Sequence, residues 1–199
     1  MSWKREDGTF GSDSHGNDTF GNRFLHDVVR EFKRQKELAD KAMAQVSDEG
    51  FAASDDEEQN SIALIAKHMA GNMRSRWRDF LTSDGEKPDR NRDTEFDLGD
   101  DDDRDAIMER WEEGWRTLLG TLDTLTSNDL ERNVKIRGEE HLVWQAIMRQ
   151  LSHYAYHVGQ IVYVAKARRS GAWKTLSVAR GKSAEFAAMP DSYLGGKNE

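Results

Sequence analysis

Leu151-Ser152-His153-Tyr154-Ala155-Tyr156-His157-Val158-Gly159-Gln160-Ile161 lies within a stretch, from about Leu142 to Arg168, whose apolar residues recur every three or four positions. That period is helical, and it puts Val143, Ala146, Ile147, Gln150, His153, Tyr154, His157, Ile161 and Val164 on the inward side. His153 and His157 are therefore one turn apart on one face, one imidazole above the other. Two imidazoles so placed can reach a single metal ion, and imidazole is a common ligand for zinc, nickel or iron. The plainer alternative is a pair of packed or surface histidines with no shared ligand. Burying both rings without partners is costly, and a shared ion would satisfy them together.

The rest of the chain supplies the partners for that helix. Phe20, Phe24, Val28, Phe32, Ala39, Met43 and Val46 trace a first helix that Ser47-Asp48-Glu49-Gly50 ends. Ser61 is placed to cap a second, running through His68 to about Leu81, with Leu64, Ile65, His68, Met69, Asn72, Arg76 and Phe80 in its stripe. His68 thus joins an apolar face, where a lone histidine needs a partner. A long connection, Thr82 to Asp103, comes next; such a length inside a compact domain is more often functional or mobile. Its closing acidic run, Asp100 to Asp103, stands where a third helix dipole favours negative charge. Ile107, Trp111, Trp115, Leu118, Leu122 and Leu125 form the stripe of that helix. Val134-Lys135-Ile136-Arg137-Gly138 alternates briefly, predicting an extended link or small hairpin before the fourth helix. The whole reads as an all-α protein, a four-helix bundle with a long loop between helices two and three. Residues 1–18 read as a frayed, disordered arm, 19–172 as the bundle, and 173–199 as a tail packed on it or extending from it.

Composition bounds the function. At 199 residues the chain can bury one continuous core. A formal charge of −8 argues against nucleic acid as partner, because phosphates need a basic field. No apolar run approaches a membrane span, and the opening Met1-Ser2-Trp3-Lys4-Arg5-Glu6-Asp7 has no apolar signal core. The expectation is a soluble cytoplasmic protein with no membrane partner. With no cysteine, thiolate metal sites and cysteine nucleophiles are excluded.

The remaining polar candidates are weaker. Gln160, one turn beyond His157, is placed to act in catalysis by holding a water or ligand at the ion; its alternative is a bundle-interior polar residue with a local partner. Tyr154 points to core packing and Tyr156 to the surface. Arg90 and Arg92 in the long loop are forked donors for a carboxylate or phosphate on a substrate, although Asp93 and Glu95 beside them are as well placed to neutralise them. Arg180 and Lys182 in the tail offer a similar anchor. His15, His26 and His141 read as incidental, surface or capping residues. Gly181-Lys182-Ser183 fails as a phosphate loop, since Leu176 stands where that motif needs glycine. The run Asp100 to Asp103 lacks the spacing of a calcium loop. Trp77, Trp111, Trp115 and Trp144 sit at helical spacing that suits a core or a dimer interface.

Two stretches, Lys67-His68-Met69-Ala70-Gly71-Asn72-Met73 and Phe80-Leu81-Thr82-Ser83-Asp84-Gly85-Glu86-Lys87-Pro88, combine with the His-x-x-x-His-x-x-Gln pattern of His153 to Gln160. In that combination the chain resembles the DinB/YfiT-like family of metalloenzymes, over about Phe20 to Trp173. The resemblance implies an up-down-down-up bundle, a divalent metal on His68, His153 and His157, and a homodimer. It also implies relatives that use low-molecular-weight thiols, such as mycothiol-dependent isomerases and bacillithiol transferases. No thiol-binding motif in this sequence carries that chemistry over. The expected function is a metal-dependent enzyme on a small-molecule substrate, a thiol-dependent transferase or isomerase. A metal-dependent hydrolase, with Glu37 or Asp93 as distant bases, and a non-catalytic, stress-associated metal-binding bundle stand as alternatives.

Overall fold

A computed structural model describes residues 19–56 and 58–187. Its α-helices are α1 (Phe20–Met43), α2 (Asp48–Ala52), α3 (Ile62–Trp77), α4 (Arg104–Thr124), α5 (Val143–Arg169) and α6 (Ser183–Ala187). A two-stranded antiparallel hairpin, β1 (Asn133–Ile136) with β2 (Glu139–Leu142), enters α5. The protein is mainly helical, and none of the described helices is long and apolar enough to cross a membrane. The reading of residues 1–18 as an arm falls outside the described residues, as does the tail beyond residue 187. Of the described tail, Trp173 and Leu176 pack against the core, and Lys174 exchanges backbone hydrogen bonds with the Gln45 amide.

The first four helices begin where a side-chain oxygen takes a free amide proton. Thr19, Ser47, Ser61 and Asp103 cap α1 to α4, each accepting from a backbone N–H three residues on. Just past the other end of α1, the guanidinium of Arg104 donates to the carbonyls of Met43 and Val46. The four long helices pack chiefly as α3 on α4 and α1 on α5, with α3 also meeting α5 and α1 meeting α4. Gly114 permits the close approach of α3 and α4: a Cβ there would stand 3.0 Å from Met73 Cε and 3.3 Å from Ala70 Cα.

At the centre Phe32 meets Trp77, Trp115 and Tyr154, with ring centroids 5.9, 6.5 and 6.0 Å away. The Tyr154 hydroxyl accepts from Trp77 Nε1 at 3.2 Å and donates to Asn72 Oδ1 at 2.9 Å. This buried relay fixes the height of α5 against α3, and so of His153 and His157 against His68.

Several local expectations need correction. Phe20 is 77% exposed and rests on Phe24 rather than in the core. Ser47-Asp48-Glu49-Gly50 ends α1 as expected but also starts α2, whose Phe51 is buried. The second predicted helix stops at Trp77, not near Leu81: Arg78 is extended and Asp79 takes a φ of 50°. That reversal tucks Phe80 against Trp77, with centroids 4.9 Å apart. On α5 the buried line continues through Val158, Ile161 and Ala165, leaving Val164 partly covered. Trp77, Trp111 and Trp115 are core residues, whereas Trp144 is 39% exposed.

Candidate metal centre

His68 projects from the middle of α3, and His153 and His157 from successive turns of α5. Each offers a ring nitrogen, and the three nitrogens lie within 4.8 Å of one another. His153 Nε2 and His157 Nε2 are 3.1 Å apart. Two nitrogens bound tetrahedrally to one zinc-sized ion would sit about 3.3 Å apart, so the pair is already at ligand spacing. His68 is buried; the α5 pair is half-buried, at the edge of a cleft rather than deep in the core.

Acceptors beside the triad orient two of its rings, His68 and His157. His68 Nδ1 lies 2.8 Å from Glu95 Oε2. Burial alone would raise the Glu95 carboxyl, but the Arg90 and His68 hydrogen bonds and their charges hold it below its ordinary range. An ionised carboxylate only accepts, so His68 Nδ1 carries the proton in this contact, and Nε2 is the nitrogen left to serve as a ligand. His157 Nδ1 lies 2.8 Å from the Gln160 amide oxygen, which likewise only accepts. Its Nε2 is therefore also free. Desolvation, aided by His157 and His68, depresses His153 to about 3, and desolvation lowers His157 as well. Rings kept neutral by burial are the form that coordinates a cation.

Glu95 is in turn held by Arg90, whose Nε and Nη2 each reach a carboxylate oxygen at 2.8 Å. The loop that brings both residues over α3 needs Gly71: a Cβ there would lie 2.9 Å from Glu95 Cδ. Asp93–Phe96 form a single 3-10 turn, and the Phe96 ring stacks on His68 with centroids 4.8 Å apart. The long connection is thus a built wall of the site. A cleft of about 370 Å³ opens on the histidines, lined also by Asn72, Gln150, Tyr156 and a group of arginines.

Of the predicted candidates, His68, His153 and His157 come together, and Gln160 stands behind His157, acting on it through Nδ1. Arg90 lines the cleft with its guanidinium engaged by Glu95, while exposed Arg92 lies over the Phe96 ring at 5.7 Å. Arg180 and Lys182 do not line the cleft, and Glu37 pairs with Lys41 away from it. Glu95 is the residue that sequence reasoning undervalues. Its place in the chain suggests only a neutraliser of the arginines; that role is real for Arg90, but its second oxygen serves His68. Gly71 beside His68 is the available signal, since glycine costs helix stability unless something must come close.

The donor set suits a divalent ion: three imidazoles, two of them oriented from behind by acceptors, as metal-binding histidines commonly are. Comparison with known proteins places the chain in one family. Residues 19–182 match the family described as "Protein of unknown function (DUF1572)", and the chain belongs to it. No curated protein and no solved structure matches.

Proposed function

From membership of that family and this donor set, we propose that the chain is a metal-dependent enzyme of the DinB/YfiT-like type. The reading makes its four long helices an up-down-down-up bundle and gives His68, His153 and His157 a divalent zinc, nickel or iron ion to hold. The substrate is a small molecule, and a low-molecular-weight thiol is the co-substrate, as in a transferase or isomerase. The same reading carries the expectation of a cytoplasmic homodimer.

The observation that carries it is the 3.1 Å approach of His153 Nε2 and His157 Nε2, with His68 within 4.8 Å and the outer nitrogens of His68 and His157 tied to Glu95 and Gln160. Three neutral ligands leave a bound cation its full charge, so it would serve as a Lewis acid that favours the anionic form of a thiol or water. The chain's own residues prepare that chemistry. Glu95 and Gln160 hold a proton at Nδ1 of His68 and His157 respectively, Arg90 fixes Glu95, and Phe96 covers one face of His68. Among the described residues the cleft lining holds no Asp or Glu, so the hydrolytic alternative lacks a lining carboxylate to act as general base.

Elemental analysis of protein purified without a histidine tag tests the reading. The expected result is close to one divalent ion per chain, lost in His153→Ala. Metal content no higher in the wild type than in that variant would refute it. Metal-loaded protein is then expected to turn over electrophiles only with added thiol; turnover of esters or amides without thiol would favour the hydrolase.

A further inference from the structure

We propose that the cleft receives a small molecule bearing an oxyanion, a carboxylate or phosphate, together with a hydrogen-bond donor, and that Arg92 and Arg149 hold the oxyanion. The inference deepens the metal-enzyme reading and rests on it for any chemistry after binding.

Three observations carry it. The chain has a net charge of −8, yet the cleft is lined by Arg76, Arg90, Arg92, Arg137 and Arg149 and, among the described residues, by no carboxylate. Two carboxylates behind the lining answer only some of that charge. Glu95 takes Arg90, and Glu86 Oε2 takes Arg76 at 2.9 Å and Arg137 at 3.0 Å. Arg92 faces the Phe96 ring, and Arg149 Nη1 contacts His141 Nε2 at 3.2 Å; neither has a carboxylate partner among the described residues. Guanidiniums gathered in one concavity repel one another and create a field that an anion relieves.

The second observation is backbone strain. Arg137 takes a φ of 57° at the hairpin turn, a conformation that glycine or asparagine adopts more easily. Its guanidinium nevertheless stands at the cleft, where neither of those residues could supply a cation. The third is Gln150, only 4% exposed, whose Oε1 is buried without a donor among the described residues. Buried amide oxygens are rarely left so, and an O–H or N–H on a ligand in the same cleft would pair it. A hydroxy-acid meets both demands.

The test titrates the full chain with glycolate, its neutral isostere glycolamide and inorganic phosphate, read from arginine Nε–H and histidine ring resonances. Glycolate is expected to shift the cleft signals saturably and glycolamide not to. Arg92 and Arg149 are exposed, so Arg92→Gln/Arg149→Gln should fold normally and weaken glycolate binding about tenfold or more. Phosphate binding tighter than glycolate would support the proposal and assign a phosphate; the reverse order would support it and assign a carboxylate. Equal response to glycolate and glycolamide, or unchanged affinity in the double variant, overturns it. The same titration on His153→Ala separates the two readings. Oxyanion binding in a wild type that takes up no ion would sink the metal centre and leave this inference standing; metal uptake without preference for glycolate would do the opposite.

Discussion

Glu95 holds a guanidinium and an imidazole apart and aims both: each carboxylate oxygen accepts from Arg90, and the second also meets His68 Nδ1. Glu95→Gln keeps the shape but offers an amide that cannot accept at both oxygens, so one of these contacts must fail. The expected result is a ten- to hundredfold loss of metal affinity, in the range found when such outer partners are removed, measured by competition with a chromophoric chelator. Gly71→Ala is expected to act the same way without touching either residue, because its new methyl would displace the carboxylate. Wild-type affinity in both variants would show that His68 needs no orienting partner. Gln160 is legible from its place one turn beyond His157; Glu95 is not, because 27 residues of chain separate it from His68. No local period reports a contact of that length.

At the level of the element, α5 carries both a core face and a site face, and Tyr154 couples them. Its hydroxyl is buried and paired with Trp77 and Asn72 on α3. Tyr154→Phe leaves the Trp77 donor and the Asn72 acceptor unpaired in the core, a loss of about 1–3 kcal/mol in chemical denaturation. It should also loosen the register between His68 and the α5 pair, visible as weaker metal binding than the stability loss alone explains. The hairpin preceding α5 is pinned differently. Asp84 accepts from the backbone N–H of Glu86, Arg137 and Gly138 at 2.7, 2.9 and 2.7 Å. Burial works against it, but these bonds keep its carboxyl below the usual range. Asp84→Ala is expected to free the strained Arg137 turn and speed hydrogen exchange at Arg137 and Gly138, with exchange in α4 unchanged; unaltered exchange at the turn would contradict this. The hairpin and the four long helices are readable because their periods, two and about 3.6 residues, are written locally. The stop at Trp77 is not, since the reversal at Asp79 is set by Phe80 packing on Trp77 and by Arg78 pairing with Asp89.

Across the whole molecule, the link between α3 and the start of α4 is electrostatic and therefore pH-dependent. The Asp102 side chain is largely covered, which by itself would raise its carboxyl. Lys67, the Gly99 amide and Arg110 outweigh that and hold it at about 2. Its folded value is thus below the unfolded value near 3.9, so its contribution is full above that value and is lost as pH falls towards 2. Asp102→Asn should flatten the fall of thermal stability over that window; an identical acid slope in both proteins would assign it elsewhere. Divalent metal is expected to raise the melting temperature progressively with concentration in the wild type and not in His153→Ala. By itself the order of residues determined where the four long helices lie, which of their faces are mainly apolar, and that His153 and His157 share one face. Those properties arise from backbone geometry repeated over a few residues. Only the tertiary structure decided that Glu95 and Arg90 fold back onto His68, that five arginines surround the cleft, and that Arg92 and Arg149 remain without carboxylates among the described residues. Charges distant along the chain meet through packing, and Coulomb energy depends on separation in space rather than in sequence.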